Sequence, residues 1–391
     1  MIREIRKIGT LVILLFLLYL LNPYGLNIYI GYILIPLVFI KKKFLVENVD
    51  FNFFILLLFS LSYAAFFMLD PVAGNQYIVI YAFVPASFYL LGKYFADKLD
   101  NNIQKLFFLF LISGIIFSVS AFLSVATNLF NNGFADVERN LPNFWTGQII
   151  PATIMGSYFS VVMTIPALLI PKIKGFPRLF RILLLIYFFI SVACVLRIGS
   201  RTQLGIGIIA LAASLIYIIP KQSFKKNLFL IVLFAVSILY VVKTVNFDLN
   251  QDWLSAYANR MEDSDDFSSG GGRTIRWEKS LINLFEKPLG WDEDEFGHAH
   301  NLWFDVLRIG GIIPFILLII FTTKSYLVIL GTLKKRVQEF LFQNQILVYT
   351  ISFTTVFILE PILEGMFDFF AFFCFFSGSV KSYFTDKPTN A

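Results

Sequence analysis

Twelve apolar runs, each close to the length needed to cross a hydrocarbon layer, divide this chain of 391 residues, and no other feature restricts its fold as much. A bilayer core of roughly 30 Å takes about 20 predominantly apolar residues in helical form. The runs lie near Ile8 to Leu21, Leu26 to Ile40, Phe51 to Leu69, Tyr77 to Leu91, Leu106 to Phe130, Ile149 to Ile170, Ile182 to Leu196, Thr202 to Ile219, Leu228 to Val245, Asn301 to Phe321, Phe340 to Leu359 and Ile362 to Val380. The first two are parted only by Asn22, Pro23, Tyr24 and Gly25. They are expected to form a helical hairpin, because an extended backbone facing lipid would leave its amides unpaired. Pro151, Pro166 and Pro171 can kink the sixth run. With 58% hydrophobic and only 15% charged residues, the chain has too little polar surface for a soluble domain of its size. The expected fold is an all-α polytopic membrane protein of about 12 transmembrane helices with a helical loop between spans 9 and 10. Residues 1–245 carry spans 1 to 9, 246–300 the loop, and 301–391 spans 10 to 12 with a tail.

Orientation follows from the basic residues. With the N-terminus inside, about 22 of the 32 lysines and arginines fall on cytoplasmic segments, as the positive-inside rule requires. Both termini are then cytoplasmic, no cleavable leader is expected, and the loop from about Asn246 to His300 lies outside. The same rule accounts for the net charge of +6 without nucleic acid as a partner. Cys194 and Cys374 sit inside apolar runs and read as small apolar fillers. The 47 phenylalanines read as lipid-facing bulk.

Arginine and lysine are sorted between the two sides. Of the ten basic residues left outside, seven are arginines: Arg139, Arg197, Arg201, Arg260, Arg273, Arg276 and Arg308. A guanidinium presents a planar fork matched to phosphate oxygens, so these point to a phosphate or pyrophosphate ligand. The alternative is pairing with acids such as Glu262, Asp263, Asp265 and Asp266. Arg197 and Arg201 flank a tight outer turn, Gly199 to Thr202, and arginine at that depth needs a partner or a ligand. Glu360, Glu364 and Asp368, spaced four apart, could line one helix face and serve as internal partners. Gly205 and Gly207 leave room for a close neighbour.

The stretch from Ser269 to Ile313 is the most polar segment between two apolar ones and holds both histidines, His298 and His300. Gly270, Gly271 and Gly272 precede Arg273. Ile275, Leu281, Ile282, Leu284 and Phe285 then space out an amphipathic helix suited to the membrane surface. Lys287 to Gly290 ends it, and His298 to Asn301 stands before the next span. The histidines are two apart, so only one is expected to face a ligand. Together with Asp292, Glu293, Asp294 and Glu295 they could also hold a metal, although acidic loops are commonly just hydrated. Asp305 and Arg308, three apart, can pair with each other.

Four pieces in order carry a resemblance: GSR at Gly199 to Arg201, Arg273 with Trp277 four residues on, KPLG at Lys287 to Gly290, and HN at His300 and Asn301 followed by GGIIPFILLI. In this order the chain resembles the bacterial O-antigen ligase and polysaccharide polymerase superfamily over roughly Leu196 to Ile320. The resemblance implies a glycosyltransferase without metal or other cofactor, acting on undecaprenyl-pyrophosphate-linked glycans at the outer face of the bacterial cytoplasmic membrane. It implies pyrophosphate binding by Arg201 and Arg273, with Arg197 and Arg276 in support, and His300 as general base. His298, Asn301, Glu360 and Glu364 would assist. The implied partners are a lipid-linked glycan donor and acceptor, membrane lipid and a chain-length regulator protein. A polymerase of repeat units is favoured over a ligase moving glycan to a lipid A core or a protein. A lipid-linked sugar flippase is the alternative of another class, and it would carry polar residues near the membrane midplane in two related halves.

Overall fold

The computed structural model describes residues 7–40, 42–71, 74–136, 138–171, 177–244, 251–262, 272–334 and 340–385. Gly270 and Gly271, the acids Asp263, Asp265 and Asp266, and the side chains of Arg260 and Glu262 lie outside what is described, as do the terminal residues 1–6 and 386–391.

The described chain is almost wholly helical. Its first half runs α1 (Thr10–Leu21), α2 (Asn27–Phe39), α3 (Lys42–Asn48), α4 (Phe51–Phe67), α5 (Gln76–Lys98) and α6 (Ile103–Asn132). A two-stranded hairpin, β1 (Leu141–Pro142) against β2 (Ile149–Ile150), leads into α7 (Ala152–Ser157) and α8 (Ile165–Leu169). Then come α9 (Arg178–Arg197), α10 (Arg201–Ile218), α11 (Phe224–Thr244), α12 (Ser255–Glu262) and α13 (Arg273–Glu286). The last elements are α14 (Leu302–Gly310), α15 (Ile312–Lys334), α16 (Phe340–Leu359), α17 (Ile362–Gly365) and α18 (Phe367–Thr385).

Six of these are long and apolar enough to cross a membrane: α5, α6, α9, α10 with its extension to Lys221, α15 and α16. The number is seven if α3 and α4, bent by 106° at their junction, count as one span. The twelve apolar runs are therefore more broken than their lengths suggest. The first two form a hairpin of 12 and 13 residues, each only about 18–20 Å long at 1.5 Å per residue. The turn between them uses left-handed backbone at Asn22 and Tyr24. The sixth run is split into α7 and α8, with Pro151 at the first entry and Pro166 at the second. Freed backbone there is satisfied from neighbouring helices, for Ser214 and the Asn344 amide both donate to the Ala167 carbonyl, at 3.2 and 2.9 Å, as buried irregular backbone in such proteins requires. Gly207 approaches this broken segment at the Met163 carbonyl, whereas Gly205 faces open space.

The spine of the bundle is α5 against α18. Gly92 and Gly378 sit where the backbones touch: a Cβ on either would fall 2.0 Å from the Phe375 carbonyl oxygen or 1.9 Å from that of Tyr89. Ser379 adds a hydrogen bond to the Gly92 carbonyl at 2.9 Å. Small residues that let backbones approach are how helices associate where lipid is as apolar as the side chains. Around this crossing the phenylalanines depart from expectation. Phe369, Phe370, Phe372, Phe373, Phe375 and Phe376 are fully buried, and Phe353 makes ring contacts with four of them. They fill the core because the small residues of α18 bring its whole circumference into contact with other helices. Both cysteines are buried and unpaired.

The two ends of the bundle differ. At one, lysines pair with acids or lie over rings, as Lys7 with Asp100, Lys93 with Asp50 and Lys324 over Phe51. At the other, the end of α4, the β-hairpin, the α9–α10 turn and α12 to α14 gather around the arginines.

Candidate functional site

Two glycines set the frame of the site. Gly290 (φ +105) lies so close to the Arg308 carbonyl that a Cβ would sit 2.2 Å from it. Gly311 (φ +68) is pressed in the same way on the Pro288 carbonyl, at 2.6 Å. Trp291 N–H donates to the Arg308 carbonyl at 3.0 Å and Ile312 N–H to that of Pro288 at 2.8 Å. The KPLG turn and the first glycines of the following span are thus the two halves of one clasp. Left-handed φ and zero side-chain volume are needed at both positions, which only glycine supplies cheaply. The clasp also ends α14 and starts α15 as separate helices, dividing the expected tenth span.

Between the clasped strands of chain, residues 298–301 are held from three sides. Asn301 caps α14, its side-chain oxygen accepting from the N–H groups of Trp303 and Phe304 at 3.2 and 3.3 Å, a standard way to satisfy the first turn. Asp305, 2% exposed, accepts from the N–H of Ala299 at 2.8 Å and of Asn301 at 3.1 Å. It does not pair with Arg308. From α13, Arg276 donates to the His298 carbonyl at 3.1 Å and the Trp277 indole to that of Ala299 at 2.9 Å. The outer face of α13 carries Ile275, Leu281, Ile282 and Phe285, all exposed, in keeping with the amphipathic reading.

These bonds fix the two histidines in opposite environments. His298 has a carboxylate on each ring nitrogen: Glu293 lies 3.0 Å from Nε2 and Glu364 3.2 Å from Nδ1. The Glu364 bond, above all, raises its pKa. Arg308 also binds Glu364. His300, by contrast, has backbone φ +53, a conformation that costs a non-glycine residue and recurs at functional sites. Its Nδ1 is buried and has no hydrogen-bond partner among the described residues. Burial, then the charges of Arg273, Arg276 and His298, lower its pKa to about 4. The ring is therefore neutral at physiological pH.

Both histidines line a cavity of about 620 Å³. Its walls come from distant parts of the chain: Phe66 and Phe67 at the end of α4 and Asp70 just after it, Tyr81 on α5, Thr153 and Ile154 on α7, Trp291 to Glu293, Arg308, and Pro361, Glu364 and Gly365.

The remaining candidates divide. Arg273 reaches Glu360 at 3.9 Å, and its charge and that of Arg276 both act on His300, so α13 supplies two cations whose field reaches that ring. Arg201 opens α10 beside Ser200, which packs on Gly156 of α7. It is not among the cavity-lining residues. Arg197 is turned away. Its buried guanidinium bonds Asp136 at 2.6 Å and the Glu138 carbonyl at 2.9 Å, and Arg139 bonds the Ile198 carbonyl at 2.9 Å. That pair ties the loop after α6 to the end of α9. Glu360, Glu364 and Asp368 do not share a helix face, because the chain breaks around α17. Each takes a different partner: Arg273, Arg308 with His298, and Tyr158 at 3.1 Å. Asp305 as an anchor for the amides of Ala299 and of the cap residue Asn301 was missed although its partners are only six and four residues away, whereas Asp70, Tyr81 and Trp291 as wall residues had no signal in the sequence, since each owes its place to long-range packing.

Glu293, His298 and Glu364 each offer a ligand atom within 4.8 Å of the others and could hold a divalent ion. As arranged, the carboxylates lie against opposite nitrogens of the His298 ring, and Arg308 shares Glu364, so the three groups already engage one another. No protein-family model matches the chain, and no curated protein matches it.

Proposed function

We propose that this protein is an integral membrane glycosyltransferase that joins lipid-pyrophosphate-linked oligosaccharide repeat units, with His300 as the general base. The reading places the chain in the bacterial cytoplasmic membrane with about twelve crossings, termini inside and the His300 end outside. The observation that carries it is His300 itself: a neutral, half-buried imidazole that lines a cavity, has a nitrogen without a partner among the described residues, and lies in the field of Arg273 and Arg276. An acid–base group must be in its working protonation state and within reach of its substrate. An arginine pair beside it supplies charge where a pyrophosphate leaving group would develop it.

In this reading Arg273 and Arg276 bind the donor pyrophosphate, aided by the N-terminal end of the α13 dipole. The acceptor hydroxyl loses its proton to His300 as its oxygen bonds the anomeric carbon. The bond from that carbon to the pyrophosphate oxygen breaks with its electron pair leaving on the lipid pyrophosphate, and a single displacement inverts the centre. Binding of the anion offsets the two guanidinium charges that depress the His300 pKa, so the base strengthens when the donor is in place.

Purified protein in nanodiscs, given a defined undecaprenyl-pyrophosphate repeat unit, tests this. Chain growth that disappears in His300→Ala and persists in Arg197→Lys is expected. Equal growth in wild type and His300→Ala would overturn the assignment. Transfer only to a lipid A core or a protein acceptor would make it a ligase. Movement of the lipid across a bilayer without transfer would make it a flippase.

A further inference from the structure

His300 lines the cavity, whereas Arg273 and Arg276, whose charges act on its ring, do not, and the cavity lining carries the opposite charge. Four carboxylates line the cavity: Asp70, Asp292, Glu293 and Glu364. Against them stands Arg308, already bonded to Glu364, and His298, held between Glu293 and Glu364. Even with His298 counted as a cation, the lining has more negative than positive groups. Arg273 and Arg276 do not line it. An anion entering this space would meet like charge in a cleft whose apolar walls focus the field. The cavity is therefore a poor home for a pyrophosphate and must be assigned another occupant.

Its walls indicate which. Trp291, Tyr81, Phe66 and Phe67 present aromatic surface, which covers the C–H faces of a ring. Ionised carboxylates only accept hydrogen bonds, so they select a ligand rich in O–H or N–H donors. The volume, about 620 Å³, is that of a small-molecule site with room for one or two sugar rings.

We infer that the cavity between Asp70, Trp291, Glu293 and Glu364 is the acceptor-sugar site, and that it selects neutral or cationic sugars, amino sugars above all, and rejects uronic acids. The assignment rests on the glycosyltransfer reading for the word acceptor. The charge selectivity rests on the cavity alone. His300 then has the donor pyrophosphate on its arginine side and the acceptor hydroxyl on its carboxylate side, and the two substrates are sorted by charge before they meet.

Saturation-transfer NMR on the protein in nanodiscs, with glucosamine, glucose and glucuronate as probes, tests the selectivity without any transfer reaction. Glucosamine is expected to bind at least tenfold more tightly than glucuronate, with glucose between them. Asp70 and Glu293 are exposed, so Asp70→Asn and Glu293→Gln are expected to leave folding intact and to narrow the glucosamine preference severalfold. Glucuronate binding as tightly as glucosamine, or no saturable binding by any of the three, overturns the cavity assignment. Selective glucosamine binding by a protein that transfers nothing would keep the cavity and sink the glycosyltransfer reading. Growth on a uronic-acid acceptor at the rate of an amino-sugar acceptor would keep the enzyme and sink the inference.

Discussion

The α5–α18 crossing and the segment from His298 to Arg308 are both densely packed, yet they spend their packing differently. In the crossing, contact is backbone on backbone through Gly92 and Gly378, and the polar group present, Ser379, donates to a helix carbonyl. The histidine segment holds a left-handed non-glycine residue, a buried carboxylate on two amides, an imidazole between two carboxylates and a ring nitrogen with no partner among the described residues. One region is consistent at every level of its chemistry. The other keeps strain and an unmet hydrogen bond where they can be used, the pattern expected of a functional site set into a stable frame.

Mutations should therefore separate stability from function along the same line. The largest effect is expected for Gly378→Ala, whose Cβ would sit 1.9 Å from the Tyr89 carbonyl. Size-exclusion chromatography in detergent should show loss of monodisperse protein, and a normal elution profile would mean the crossing is not the spine. Next, His300→Ala should lower transfer by about 10²–10⁴-fold, the range for a lost acid–base group. Its melting temperature should stay within a few degrees, about 1 kcal/mol or less, since Nδ1 makes no bond to lose. A collapse in melting temperature would make His300 structural. Arg273→Lys and Arg276→Lys should each cost roughly tenfold in transfer through loss of the bidentate fork, whereas Arg197→Lys, which touches the loop after α6, should show mainly as reduced stability.

The smallest effect is a shift in pH dependence. Because the His300 pKa lies near 4 in the free protein, the acid limb of kcat/KM should fall well below pH 6.5. With donor bound, the anion offsets Arg273 and Arg276 and raises that pKa, so the acid limb of kcat should move to higher pH. Coincident limbs above pH 6.5 would refute the depressed imidazole. The linkage has a matching sign: a histidine with a folded pKa below its unfolded value favours folding above about pH 6.5, and that contribution is lost as pH falls toward 4.

Part of this was legible in the chain alone. The apolar runs demanded helices, and the concentration of arginine and both histidines around residues 273–308 marked the region that the structure draws together. Spacing misled where the backbone breaks. Glu360, Glu364 and Asp368 are helically spaced in sequence, but the chain turns at α17 and sends them to three partners. Asp305 and Arg308 are three apart on one helix and still part company: Asp305 turns back to the amides of Ala299 and Asn301 at the start of its own helix, and Arg308 takes the distant Glu364.

By itself, then, the sequence determined the solvent this protein must suit, its helical class and the residues able to do chemistry, since hydropathy and side-chain type are local properties. Tertiary structure decided the rest. It turned Arg197 to Asp136 and Arg308 to Glu364, assembled the cavity from separated segments, and pushed the pKa values of two histidines two residues apart in opposite directions. The physical reason is that pairing, burial and ring protonation depend on what lies within a few ångströms, and at this site nearly all of that comes from elsewhere in the chain.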